Sequence, residues 1–225
     1  MVHSHPVSED VTVVFKGKGE AFLGEVWYEV AEGDVIYAPE NVKHGTRNPE
    51  TNTEPLICYN WQVPYLSEYD MLPGARDRLF EHQEGRVVAF DARGKFDAHI
   101  PETGIIAHID RGALFTQYGA PMRFVIWPGV GSRKISLHRA KLPPEFEFKV
   151  HFHPDAEDTL LAFHGRGQGF LFDRWFDMEA GDVLYAPSPV RHGTRNKNAG
   201  REDPFIVIGA ASPPQMELYR LAGYL

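Results

Sequence analysis

Short apolar runs rich in β-branched residues recur along the chain, each closed by glycine or proline, and they predict strands. Thr12 to Phe15 and Thr159 to Phe163 are two such runs, followed by Gly17-Lys18-Gly19 and Gly165-Arg166-Gly167. These glycines are read as hairpin turns, because glycine tolerates positive φ. Val35-Ile36-Tyr37 and Val183-Leu184-Tyr185 are further strands, stopped by Pro39 and Pro187. Strand-like runs also lie at 123–127, 134–137 and 146–150. Only the tail, 215–225, has helical spacing, with Met216, Tyr219 and Leu221 on one face. Many short strands at close spacing predict an all-β barrel or sandwich.

The pattern repeats. Residues 3–48 align with 151–196 at a constant offset of 148 without a gap, and 23 of the 46 pairs are identical. Two copies of one structural unit follow, expected over 1–84 and 85–225. The second copy has three strand-like runs ahead of it, whereas the first starts two residues before its repeat. The first barrel is therefore expected to lack its upstream strands. Strands from the 85–135 region, another chain or an upstream segment could complete it. An open barrel edge favours pairing with a second copy, so a homodimer is expected.

Composition narrows the partners. The 225 residues carry 31 acidic against 23 basic side chains, a net charge of −8, which disfavours nucleic acid. No apolar run reaches about 18 residues and no apolar stretch opens the chain, so a cytoplasmic protein without a membrane span is expected. The single cysteine, Cys58, excludes an internal disulfide and has no basic neighbour to activate it.

Chemistry concentrates in the repeat. His151 and His153 are two apart on an extended segment and face the same side. Glu157 follows a turn, and His192 comes from a separate strand. Three imidazoles and a carboxylate suit a divalent transition ion such as Fe, Mn, Zn, Ni or Co. Four ligands on an octahedral ion leave two positions open. The first copy repeats the set as His3, His5, Glu9 and His44, and all eight positions survive a divergence that changed half of the others. Tyr185 is a candidate proton carrier if it faces inward, and Arg195 a candidate clamp for a substrate carboxylate. An exposed pairing with a nearby acid is the competing reading for Arg195. His82, His99, His108 and His138 have no partner at ligand spacing and are read as surface or satisfied core histidines.

The two motifs resemble those of the cupin superfamily. The first is His-x-His followed by Glu and Gly: His151, His153, Glu157 and Gly165, or His3, His5, Glu9 and Gly17. The second is Gly181, Pro187, His192 and Asn196, or Gly33, Pro39, His44 and Asn48. The resemblance implies two tandem jelly-roll (double-stranded β-helix) barrels, followed here by the short C-terminal helix that the spacing predicts, and one divalent metal per barrel. It also implies a small-molecule substrate. Three functions remain open: a non-haem iron-type dioxygenase acting on a small oxygenated organic acid or ketone, a redox-neutral isomerase, decarboxylase or lyase, and a non-catalytic metal-binding protein. The first is preferred.

Overall fold

A computed structural model describes residues 1–65, 78–80, 83–89, 103–117, 119–198 and 203–224. The chain divides into two compact units, 1–112 with 128–134, and 113–127 with 135–225. That division differs from the expected one at residue 84. Pairing across a sheet is non-local, and the sequence carries no mark of which barrel a strand between the repeats will join.

The first unit contains β1 (Val2–Ser4), β2 (Glu9–Lys16), β3 (Lys18–Leu23), β4 (Val26–Ala31), β5 (Asp34–Ala38), β6 (His44–Arg47), β7 (Ile57–Val63), β8 (Arg78–Phe80), β9 (Val87–Val88) and β10 (Ile105–His108). One sheet has the order β8-β1-β6-β3-β4-β9 and the other β10-β5-β2-β7. The chain's own strands from 78–108 thus join the repeat at three edges: β8 on β1, β9 on β4 and β10 on β5. The core between the sheets includes Val14, Ala21, Leu23, Val30, Ile36 and Ala38.

The second unit contains β11 (Ala113–Gln117), β12 (Ala120–Ile126), β13 (Ser136–Leu142), β14 (Glu157–His164), β15 (Arg166–Leu171), β16 (Arg174–Glu179), β17 (Val183–Ala186), β18 (His192–Arg195) and β19 (Phe205–Ser212), then the helix α1 (Met216–Leu221). Its sheets run β11-β12-β13-β19-β14-β17 and β16-β15-β18. The expected strand at 146–150 is instead an irregular segment bridged to β18 at Glu147↔Arg195 and His151↔His192. Of the three residues expected on the inner face of α1, Tyr219 is buried against Phe124 and Trp127, while Met216 and Leu221 are exposed. Among the described residues, no helix is long and apolar enough to cross a membrane.

The glycines at 17 and 165 do adopt positive φ, +88° and +78°. They are not hairpin turns, however, because β2 pairs with β5 and β7, and β3 with β4 and β6. They are corners at which the chain leaves one sheet for the other, as in a jelly roll. A Cβ at Gly17 would lie 2.3 Å from the Pro55 carbonyl oxygen, and one at Gly165 would lie 2.6 Å from that of Pro204. Glycine is required at both corners by conformation and by space.

Candidate metal centre

In each unit the paired strands of one sheet bring two histidines face to face. His3 on β1 is the cross-strand partner of His44 on β6, and His151 is bridged in the same way to His192 on β18. The third histidine lies two residues after the first. In the first unit the ring centroids are 4.7 Å apart (His3–His5), 4.5 Å (His3–His44) and 5.0 Å (His5–His44). In the second the matching distances are 4.9, 4.6 and 5.1 Å. Half the sequence has changed and the triangle has not.

The carboxylate differs from expectation by one residue. Asp10 Oδ2 lies 3.4 Å from His5 Nε2 and 3.5 Å from His44 Nε2. Asp158 Oδ2 lies 3.6 Å from His153 Nε2 and 3.3 Å from His192 Nε2. Glu9 and Glu157 begin β2 and β14, and successive side chains of a strand point to opposite faces. When Asp10 and Asp158 face the barrel interior, the glutamates must face outward. Glu9 there accepts hydrogen bonds from Ser132 Oγ (3.0 Å) and from the backbone N–H groups of Arg133 (2.8 Å) and Lys134 (3.0 Å). Glu157 accepts one from Tyr185 Oη at 2.9 Å. Asp10 and Asp158 are identical at the repeat offset, directly beside the glutamates, and that was the available signal.

The donor atoms are prepared for a cation. The Nδ1–H groups of His44, His151 and His192 donate to the backbone carbonyls of Val42 (2.8 Å), Lys149 (2.8 Å) and Val190 (2.9 Å). A carbonyl only accepts, so Nε2 of each ring carries the free lone pair, the form in which histidine binds a metal. The Nε2 atoms of His44, His153 and His192 and Asp158 Oδ1 are buried without a hydrogen-bond partner. Leaving such groups unpaired is costly unless something else satisfies them. Separations of 3.1–3.6 Å also suit donors sharing one ion at bonds of about 2.1 Å. His3, His5, Asp10 and His44 in one unit and His151, His153 and His192 in the other therefore fit a divalent ion, with Asp158 touching two imidazoles of the second group.

Burial tunes the imidazoles in the same direction. It holds His151 below the usual histidine range and takes His153 down to about 4, against the opposing pull of Asp158. Burial also lowers His192, but Asp158 and the Val190 carbonyl together outweigh it and raise the group. Asp10 is raised by burial yet ends well below the carboxylate range, because His44, His5 and Asn60 hold its charged form.

The second group opens on a cavity of about 350 Å³, whose walls include Met122, Phe148, Leu160 and Val207. His138, read from sequence as a surface or satisfied core residue, lines this cavity. The alternation of β13, with Ala140 and Leu142 in the core, was the signal for it. His82 and His99 lie outside the described residues.

The two expected catalytic residues are not brought to the site. Tyr185 is 50% exposed on the outer face of β17, where Leu184 and Ala186 take the inner face. Arg195 lies over the Trp175 ring at 3.9 Å and donates to Gln168 Oε1 and Glu147 Oε2. It alternates away from Thr194, which lines the cavity. Arg47 repeats the arrangement over Trp27 at 3.9 Å, with Glu20 as its acid. The recurring arginine is a sheet-surface pairing.

The family profile for the cupin domain matches residues 2–59. An uncharacterized protein of Methanocaldococcus jannaschii is 29% identical over 68 residues, 30% of this chain and 54% of that protein, so the match spans about half of the relative. Salicylate 1,2-dioxygenase from Pseudaminobacter salicylatoxidans superposes with a TM-score of 0.70 at 13% identity, over 99% of this chain and 69% of that one. AerE from Microcystis aeruginosa gives 0.59 at 16% identity, over 94% and 80%. Oxalate decarboxylase OxdC of Bacillus subtilis, as its R92A mutant, gives 0.57 at 14% identity, over 93% and 64%. At these identities the likeness is one of fold.

Proposed function

We propose that this chain, a member of the cupin superfamily, is a metal-dependent enzyme that works in its second unit, as an iron-type dioxygenase acting on a small oxygenated organic acid or ketone. The observation that carries the reading is the convergence of His151, His153 and His192 on the wall of the 350 Å³ cavity, with unpartnered Nε2 atoms on His153 and His192. A closed structural site would spend all of its positions on protein, whereas three imidazoles beside a cavity leave room for a substrate. A bound iron ion would supply Lewis acidity and electron transfer.

The residues do the rest. The carbonyls of Lys149 and Val190 hold two imidazoles in the ligating tautomer. Asp158 balances part of the ion's charge and is itself held by Gln215 Nε2 at 3.2 Å. Met122, Phe148, Leu160 and Val207 exclude water and strengthen every polar contact inside. The first group would hold a second ion, and a homodimer completes the reading. Light scattering at micromolar concentration tests the dimer, and a monomer there contradicts it.

Metal analysis of protein purified without added metal, followed by oxygen uptake with small 2-hydroxy and 2-oxo acids, tests the activity. Iron with oxygen consumption supports the dioxygenase. Manganese, zinc, nickel or cobalt without consumption replaces it with a redox-neutral isomerase, decarboxylase or lyase. Failure to take up any divalent ion ends the metal reading.

A further inference from the structure

We propose that His138 is the substrate-contacting residue of the second cavity. Its imidazole hydrogen-bonds the carboxylate of a small monocarboxylic acid whose apolar body lies against Met122, Phe148, Leu160 and Val207. The proposal rests on the metal-enzyme reading above.

His138 stands in the middle of β13, opposite Phe124 of β12 and Gly209 of β19. Its ring lies across the Gly209 backbone: a Cβ there would come within 2.3 Å of His138 Nε2. Glycine at this one inward position makes room for the imidazole. The matching register of the first unit holds Asn60, opposite Thr12 as Gly209 is opposite Leu160, so the space is particular to the second unit. No hydrogen bond to His138 is made among the described residues, although it lines a cavity shared with His151, His153, Asp158 and His192. An imidazole in a core ordinarily has a polar partner, and this one lines the cavity instead.

The chemistry of the ligand follows from charge and shape. Three neutral imidazoles and one carboxylate around a divalent ion leave a single net positive charge, which an anion of one charge neutralises. In its neutral form the His138 ring offers one N–H donor. The apolar walls select a ligand with a hydrocarbon body over a compact diacid.

The cobalt-substituted protein tests this, with the visible spectrum of the ion as readout and benzoate and azide as probes. Benzoate should bind the wild type more tightly than the dianion oxalate. His138→Leu should weaken benzoate by about tenfold or more, the loss of one hydrogen bond to a charged group. Azide, which carries no carboxylate, should bind the variant within about twofold of wild type. His138→Gln, which keeps a donor, should recover most of the benzoate affinity. Unchanged benzoate binding in His138→Leu, equal losses for both probes, or azide binding without benzoate binding in the wild type overturns the proposal. If the wild type takes up no cobalt, the metal reading fails by itself. His138 is then judged by its imidazole NMR signals in the metal-free protein, where no perturbation by benzoate overturns the assignment.

Discussion

In the first unit Asn60 and Gln62 stand beside the imidazole triangle. At the same register in the second unit stand Gly209 and Ala211. Asn60 donates to Asp10 and to Thr12, and the Gln62 amide sits 3.2 Å from His5 Nδ1. His5, Asp10 and His44 are buried there, while in the second unit His151 is exposed and His153 half-buried beside the cavity. In the first unit amides thus cover Asp10 and His5 while His3 stays half-buried, and in the second unit no amide stands at that register and His151 is exposed. Sealed metal sites stabilise folds and open ones react. On the proposed reading, the first group would have a structural role and the second would carry the chemistry.

Loss of a ligand breaks the comparison hardest. His153→Ala should abolish metal at the second unit and all activity, with a smaller drop in melting temperature than His5→Ala gives. His5→Ala should strip the first unit and lower the melting temperature, because a metal bound only by the folded state stabilises it in proportion to its affinity. Metal content and thermal melts of both variants check this. Full activity in His153→Ala, with only His5→Ala destructive, reverses the two roles.

The parity of β14 gives the next largest effect. Asp158→Asn should lower metal affinity in the second unit by at least about 10–100-fold, as loss of supporting groups around metal sites does. Glu157→Gln, one residue away and hydrogen-bonded to the exposed Tyr185, should leave it nearly unchanged. Chelator competition measures both. A larger loss in Glu157→Gln would restore the glutamate as the ligand.

That one-residue step shows what was legible. The repeat and the histidines are local patterns and were readable, and the glycines at 17 and 165 were legible as positive-φ positions but not as corners between sheets, which depend on non-local pairing. The choice between Glu157 and Asp158 depends on where the strand begins after the turn at 154–156, because a shift of one residue exchanges its faces. The inward face of His138 follows from the alternation of β13, but the cavity beside it does not, because its neighbours Phe124 and Gly209 lie 14 residues before it and 71 after it. Arg195 and Arg47 recur because both copies stack them over a tryptophan on the sheet surface, and Tyr185 is exposed where its counterpart Tyr37 is fully buried, so recurrence alone does not mark a site.

The turn before β5 and β17 supplies a third test. Asp34 and Asp182 each accept a backbone hydrogen bond, from Ala31 N–H at 2.8 Å and Glu179 N–H at 2.9 Å. Asp34 lies buried opposite His108 of β10, whereas Asp182 is exposed. Burial raises Asp34 from 3.8 to about 6, against the stabilising Ala31 bond. A raised acid favours its protonated form in the fold, so its contribution is full below 3.8 and is lost as pH rises through about 6. Asp34→Asn keeps the acceptor without the charge. It should gain stability over wild type as pH climbs through that window, by up to about 3 kcal/mol. Asp182→Asn should show no such slope. Denaturant melts across the pH range decide it, and parallel curves for the two variants would remove the effect of β10.

The smallest effect isolates the amide seal itself. Asn60→Ala removes the donor that holds Asp10 and leaves that buried carboxylate with one hydrogen bond fewer. The cost should be about 1–2 kcal/mol, the range for a buried acceptor left partly unsatisfied. It should be larger without metal than with it, since a bound ion would take over the charge of Asp10. The first-unit ion should also exchange faster in this variant, because the wall that hides it has lost an amide. The second unit, which has glycine at the same register, should keep its exchange rate. Isotope exchange of bound metal in wild type and variant resolves the two rates. If the first-unit ion leaves no faster, Asn60 is not part of the seal, and the difference between the two groups must come from the exposure of the irregular segment that carries His151 and His153 instead.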